Sequence, residues 1–284
     1  MCNPLTKTKK ELCDLLSDVT YRLDIFDGDE LIDQGSGVCI NASGDILTAA
    51  HVLSGKLPVK DRDLKDIRIL AKSAKSQREE YHNLICGLSV KIPQFKEPIT
   101  VDLALIRPIR RSSTKKFVKI NGATVSHGED VLMCGFSDEV ALPLDFSQLI
   151  DYSHTDFKGI EEQAKKVIDS QFRLSMTKSG MVGRVYNITI GNNANEATVN
   201  GATFYIDNVM HSGASGGPVV DRQGNLVGVI TQRAISTYST EKYAGLQVPS
   251  GSAVAVTPMF IFDFLESKSN QFGFTVEYTC ISAT

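Results

Sequence analysis

From Val19 to Ile120 the sequence is a succession of short apolar runs, each broken by Gly, Asn, Asp or Pro: Tyr21 to Phe26, Gly37 to Ile40, Ile46 to Ala49, Ile67 to Leu70, Leu84 to Val90 and Asp102 to Ile106. Runs this short at this spacing read as the strands of a sandwich or barrel. A second set begins near Val131 and resumes at Gly183 to Ile190, Ala202 to Ile206, Gly217 to Val220, Leu226 to Thr231 and Ser252 to Val256. Two successive strand-rich halves predict two packed β-units, and a chain of 284 residues is long enough to give them a real core.

Helical patterns interrupt this series in three places. Thr8-x-x-Glu11 before Leu12, Leu15, Leu16 and Val19 is a capping box opening an amphipathic helix. Ile160, Ala164, Val167 and Ile168 place an inserted helix within Phe157 to Phe172, and Thr257-Pro258 opens a third helix carrying Phe260, Ile261, Phe264 and Leu265. In Phe272, Phe274, Val276, Tyr278 and Cys280 the apolar residues alternate, which predicts an added edge strand. The expected division is an N-terminal helix at 1–18, a first β-unit at 19–120, a second at 121–265 with the insertion at 157–172, and a strand-like tail at 266–284.

A net charge of −3 sets up no global field toward nucleic acid or an anionic membrane, so neither is an expected partner. The start lacks the apolar stretch of an export signal, and no later segment approaches the roughly 20 apolar residues of a membrane span. Six cysteines are scattered without a C-x-x-C pair, a pattern that speaks against a zinc site and against a disulfide framework. The expectation is a cytoplasmic protein with reduced thiols, no metal and no cofactor.

Chemistry concentrates in His211-Ser212-Gly213-Ala214-Ser215-Gly216-Gly217-Pro218, a serine bracketed by glycines ahead of an apolar run. Glycines let the backbone turn tightly and bring N–H groups close to a reacting carbonyl. The bland alternative is a glycine-rich hairpin with an exposed serine. Gly213 to Gly217 also fits the G-x-S-x-G elbow of α/β-hydrolases, in which the histidine comes last in the chain. Nothing after His211 is a histidine, so that fold would lack its base.

A base must therefore lie upstream. His82, His127 and His154 read as ordinary core or surface histidines, and His211 as a wall of the cleft. His51 follows two strand-like runs joined by a turn at Asn41 to Asp45, at the end of the second strand, above small Ala49 and Ala50. Asp102 opens the run Leu103-Ala104-Leu105-Ile106, where a carboxylate can be buried against an imidazole N–H; alone, it reads equally well as a solvated strand end.

Thr48-Ala49-Ala50-His51, Asp102-Leu103-Ala104-Leu105 and Gly213-Ala214-Ser215-Gly216-Gly217-Pro218 resemble, in that order, the three signatures of the chymotrypsin-like or trypsin-like serine peptidases. The similarity is greatest to the HtrA/DegP type, which Asp207, Gly228 to Thr231 and Gly251 to Val256 also resemble. The resemblance implies an all-β fold of two packed six-stranded Greek-key barrels carrying N-terminal, inserted and C-terminal helices. There are departures. Position 214 is Ala where digestive members carry the acid that receives a new N-terminus, and Val52 replaces the cysteine that follows their histidine. After Leu265 too little sequence follows for the PDZ domain common in HtrA proteins.

What the resemblance implies is a serine endopeptidase. Ser215 would be the nucleophile, His51 the base and Asp102 its orienting acid, with an acyl-enzyme as intermediate. Gly213 and Ser215 would supply the oxyanion-hole N–H groups. Val209 would lie at the base of the primary pocket, Ala253 in its wall, and Thr231, Gln232 and Arg233 on the edge that pairs with the substrate backbone. No acid stands at 209 or 253, so an apolar residue before the scissile bond is expected. The partner is a protein or peptide substrate. Two alternatives stand beside this: a latent peptidase effector switched on by a regulatory protein or ligand, and a catalytically silent binding scaffold. Oligomeric state is not written in the sequence.

Overall fold

A computed structural model of the chain describes residues 6–90, 98–137, 175–191, 198–238, 245–267 and 279–281, with the isolated positions 96 and 159. The inserted helix expected at 157–172 falls outside these residues except at Gly159, as does most of the alternating segment from Phe272 to Tyr278.

Helix α1 (Lys9–Val19) starts at Thr8 with both bonds of the capping box: Glu11 N–H donates to Thr8 Oγ1, and Thr8 N–H to Glu11 Oε2 at 2.8 Å. Leu12, Leu16 and Val19 form its buried face. The first β-unit is a closed barrel of β1 (Thr20–Asp27), β2 (Glu30–Cys39), β3 (Ile46–Thr48), β4 (Ile67–Ser73), β5 (Glu79–Val90) and β6 (Ile99–Pro108), in the order β1-β2-β3-β6-β5-β4. Its interior is filled by Tyr21, Leu23, Ile25, Ile46, Ile69, Ala104 and Ile106, with Val52 and Leu53 closing one end.

The second unit contains β8 (Asp130–Gly135), β9 (Met176–Gly191), β10 (Thr198–Ile206), β11 (Pro218–Val220), β12 (Leu226–Tyr238) and β13 (Leu246–Val256). Pairing of β11 with β12 closes these six into a second ring. Beyond the expected six strands, β7 (Ile120–Asn121) and β14 (Cys280–Ile281) continue the sheet from β12 through parallel pairs, so the described end of the tail is an edge strand. Helix α3 (Met259–Ser267) buries Phe260, Ile261 and Phe262. The Thr257 hydroxyl, read from the sequence as this helix's cap, instead accepts from the buried Ala202 N–H at 2.8 Å and ties the helix start to β10.

A further apolar cluster joins α1, the outer faces of Val38, Leu47 and Leu105, and Val220, Leu226, Val229 and Phe260. It belongs to both barrels, so the cleft between them rests on core packing. Burying each such large side chain contributes about 1.5–3 kcal/mol.

Candidate active site

Strand β3 ends at Thr48, and the chain enters a five-residue helix, α2 (Ala50–Ser54), which carries His51. The sequence pattern placed His51 at a strand end. The two preceding alanines, both fully buried, are what let the chain turn into a helix directly under the first barrel. Asp102, on β6, holds this helix at two points. Its Oδ1 accepts the His51 backbone N–H at 3.0 Å, and its Oδ2 accepts from His51 Nδ1 at 2.7 Å. Nδ1 is thereby the protonated ring nitrogen, which leaves Nε2 as the basic one.

Burial is the largest single influence on the His51 pKa and acts to lower it. The hydrogen bond and charge of Asp102, together with the charge of Asp33, outweigh it, so the imidazole stands above its ordinary value. Behind the pair, Cys86 Sγ lies 3.5 Å from the Ala50 carbonyl, and burial followed by the Asp102 charge pushes its thiol up to about 12. At neutral pH it is therefore an inert thiol wedged beneath the helix.

Ser215 comes from the opposite barrel, on the turn ahead of β11. The turn closes through Ala214 N–H to His211 C=O at 3.2 Å and Gly217 N–H to Ala214 C=O at 2.9 Å. Among the described residues neither the Gly213 nor the Ser215 N–H has an acceptor, and Gly213 takes a φ of 81°. Gly216 has a φ of 85°, and a Cβ there would stand 2.0 Å from Ser36 O and 2.2 Å from Thr48 Oγ1. No side chain fits. Ala214, buried, rests against Gly135, where a Cβ would meet the alanine methyl at 2.7 Å.

Ser36 links the two barrels at this point, and nothing in its sequence context singles it out. Its N–H donates to Ser215 O at 2.8 Å, and its hydroxyl donates to Gly213 O at 2.7 Å while accepting from Phe136 N–H at 2.8 Å. Its carbonyl accepts from Thr48 Oγ1 at 2.7 Å. The turn bearing the serine is thus fastened to β2 by residues far apart in sequence.

The Ser215 hydroxyl itself donates to the Thr231 carbonyl at 3.4 Å; among the described residues no hydrogen bond joins it to His51. The register of β12 against β13 slips at Thr231, a bulge that leaves this residue unpaired in the ladder and free to aim its carbonyl at the serine.

Beside Ser215 lies a small cavity of about 80 Å³ lined by Met210, His211, Ser212, Ile230, Gln232, Arg233 and Ala253. Of the residues assigned to substrate from the sequence, Gln232, Arg233 and Ala253 line it. Val209 does not: its carbonyl accepts from Lys178 Nζ at 2.8 Å, and its buried neighbour Met210 faces the cavity. Thr231 is buried, its hydroxyl turned toward Val254 O at 3.4 Å. Among the described residues no group of three His, Cys, Asp or Glu side chains is placed to hold a metal ion.

Two antiparallel barrels meeting over a histidine–carboxylate pair on one side and a glycine-framed serine on the other define the chymotrypsin-like class of serine endopeptidases. The chain belongs to the trypsin-like peptidase domain family, whose model matches residues 35–229. In fold it is similar to the Rv3671c protease from M. tuberculosis. The active form of that protease is 12% identical, with 99% of this chain and 98% of that one covered at a TM-score of 0.53. Its inactive form is 13% identical, with 90% and 91% covered at 0.50. The serine endoprotease from Yersinia pestis is 16% identical, with 94% of this chain and 68% of that one covered at 0.49. No curated protein matches the sequence.

Proposed function

We propose that this endopeptidase works through His51, Asp102 and Ser215. Ser215 Oγ attacks the carbonyl carbon of a peptide bond while His51 Nε2 takes its proton. His51 then returns that proton to the departing amine, which leaves an acyl-enzyme that water hydrolyses by the same route. Asp102 keeps Nδ1 protonated and offsets the charge of the imidazolium. The N–H groups of Gly213 and Ser215, which have no acceptor of their own among the described residues, hold the oxyanion. The observation that carries the reading is the double hold of Asp102 on His51, since a solvated surface histidine has no need of a carboxylate on both its backbone and its ring.

Met210, Ile230 and Ala253 form the apolar part of a lining that also holds His211, Ser212, Gln232 and Arg233, and no acid is among the residues lining the cavity beside Ser215. The reading is an apolar residue of small to medium size before the scissile bond and poor cleavage after Lys or Arg. Among the described residues Cys13, Cys39, Cys86 and Cys134 stand as free thiols, in keeping with a cytoplasmic protein that cleaves protein or peptide substrates. No helix of the described residues is long and apolar enough to cross a membrane. The division of the chain at 18, 120 and 265 belongs to the same reading.

One observation favours a second reading, a latent form that a regulatory partner switches on: the Ser215 hydroxyl is turned to Thr231 and not to His51. Labelling with a fluorophosphonate probe, with Ser215→Ala as control, tests both. Labelling of the isolated wild-type chain supports the working triad. Its absence in the isolated chain and appearance on addition of cell extract supports latency, and absence under all conditions leaves a silent scaffold.

A further inference from the structure

Strand β2 runs directly beneath the serine. Ser36 N–H donates to Ser215 O, and a Cβ on Gly35 would meet the Val52 methyls at 2.6 and 2.7 Å and Ser215 O at 3.2 Å. Gly35 therefore faces the helix that carries His51. Side chains two apart on a strand share a face. Leu23 pairs with Gly35 and Ile25 with Asp33 with no slip between them, so Asp33 is turned to that same side. The slip comes next to it, between Ile25 and Phe26, where Ile32 is the extra residue. Asp33 is half-buried, and its charge is one of the influences acting on His51.

The lining of the cavity beside Ser215 comes wholly from residues 210–253 of the second β-unit. A substrate whose acyl side occupies that cavity must run its leaving segment across Ser215 onto the first barrel, over β2. At that end of β2, Leu31 and Ile32 are exposed apolar side chains, 47% and 51% accessible. Resting on the peptidase reading above, we propose that Asp33 is a specificity-determining residue on the leaving-group side. It selects a Lys or Arg at the first or second position after the scissile bond. A long basic side chain carries its charged head on a flexible apolar stem, so the head can reach a half-buried carboxylate at the end of a strand.

The test is a fluorogenic peptide library with an apolar residue fixed before the scissile bond and the two following positions varied, cleaved by wild type and by Asp33→Asn, Asp33→Glu and Asp33→Lys. Wild type is expected to favour Lys and Arg over Asp and Glu by roughly 5- to 10-fold in kcat/KM, the scale of a partly exposed ion pair. Asp33→Asn loses the preference, Asp33→Glu keeps it, and Asp33→Lys inverts it toward acidic residues. A loss of folding or of His51 alignment would lower all substrates together and leave the ratio unmoved. A wild-type profile flat in charge overturns the proposal, as does a basic preference that survives in the Asn and Lys variants. Fluorophosphonate labelling of Ser215 in the same samples, with and without added cell extract, separates the failures: label with a flat profile sinks the role of Asp33 alone, and no label under either condition sinks the peptidase reading and this proposal with it.

Discussion

The backbone N–H of Ser36 donates to the carbonyl oxygen of Ser215 at 2.8 Å, so the serine of one barrel hangs from a strand of the other. The Ser36 hydroxyl adds two more links, to Gly213 O and from Phe136 N–H. Ser36→Ala removes both and leaves a buried carbonyl and a buried amide without that partner. The expected cost is about 1–3 kcal/mol of stability, read as a lower denaturation midpoint. A slower rate of fluorophosphonate labelling should accompany it, because Gly213 loses its fixed position. A variant as stable and as reactive as wild type would show that the backbone bond alone holds the turn.

Asp102→Asn keeps an oxygen to accept one of the two His51 bonds and replaces the other with an amide donor, which favours the wrong ring tautomer. The expected result is a fall in kcat of about 10⁴-fold with KM little changed. Steady-state kinetics on a peptide substrate, against Ser215→Ala as baseline, measures it. A fall below tenfold would remove Asp102 from the proposed machinery.

The pH dependence follows from His51. Burial alone would lower its pKa, and the two carboxylates Asp102 and Asp33 more than reverse this. Because the base must be neutral to accept a proton, the acid limb of kcat/KM should inflect above the ordinary histidine value of about 6.5. The linked stability has the matching sign. A raised folded-state pKa contributes stability that is full below the unfolded value and is lost as pH rises through the folded one. In Asp33→Asn the limb should move to lower pH, since one of the raising charges is gone. An inflection below the ordinary value in wild type would contradict the double hold on the ring.

Arg107 and Asp45 form a bidentate pair at 2.8 Å on both arms, with Asp45 fully buried and also accepting from Asn41 Nδ2 at 3.0 Å. The pair fixes the turn between β2 and β3, one strand away from His51. Arg107→Leu strands a buried carboxylate and is expected to cost about 3–5 kcal/mol in a urea titration. Replacing the exposed Lys10 of the Lys10–Asp14 pair should leave the midpoint where it is.

In the proposed site, His51 behind two alanines and Ser215 among glycines stand out because their chemistry calls for a residue type in a particular local backbone. Asp102 alone reads equally well as a solvated strand end, and it is the resemblance of the three segments in order that singles it out. Two packed β-units are readable from run length, and the resemblance makes them barrels. Ser36 is not, because its partners Gly213 and Phe136 are brought to it only by the packing of one barrel on the other. Asp33 is hidden for a related cause: its face is set by the register of β1 on β2, and a one-residue slip would exchange the faces of a strand. The placing of Met210 instead of Val209 at the cavity is the same kind of event within a turn, and the helical setting of His51 shows that an apolar run of four residues does not say where a strand stops.

At Gly216 the two barrels come closer than any side chain permits, with Ser36 O 2.0 Å from where a Cβ would stand, and at Gly217 a Cβ would stand 2.0 Å from Cys134 O, so at these two positions the floor under the serine is main chain on main chain. Main chain has no alphabet. A floor of this kind cannot be adjusted by point substitution, and Gly216→Ala is expected to abolish both labelling and a stable fold. Variation in what such a peptidase cuts is therefore confined to the rims: the end of β2 on one side, and the turn at Met210 with the bulged β12 on the other. A directed-evolution campaign on this scaffold would find its gains at those two rims and its losses along the line between them.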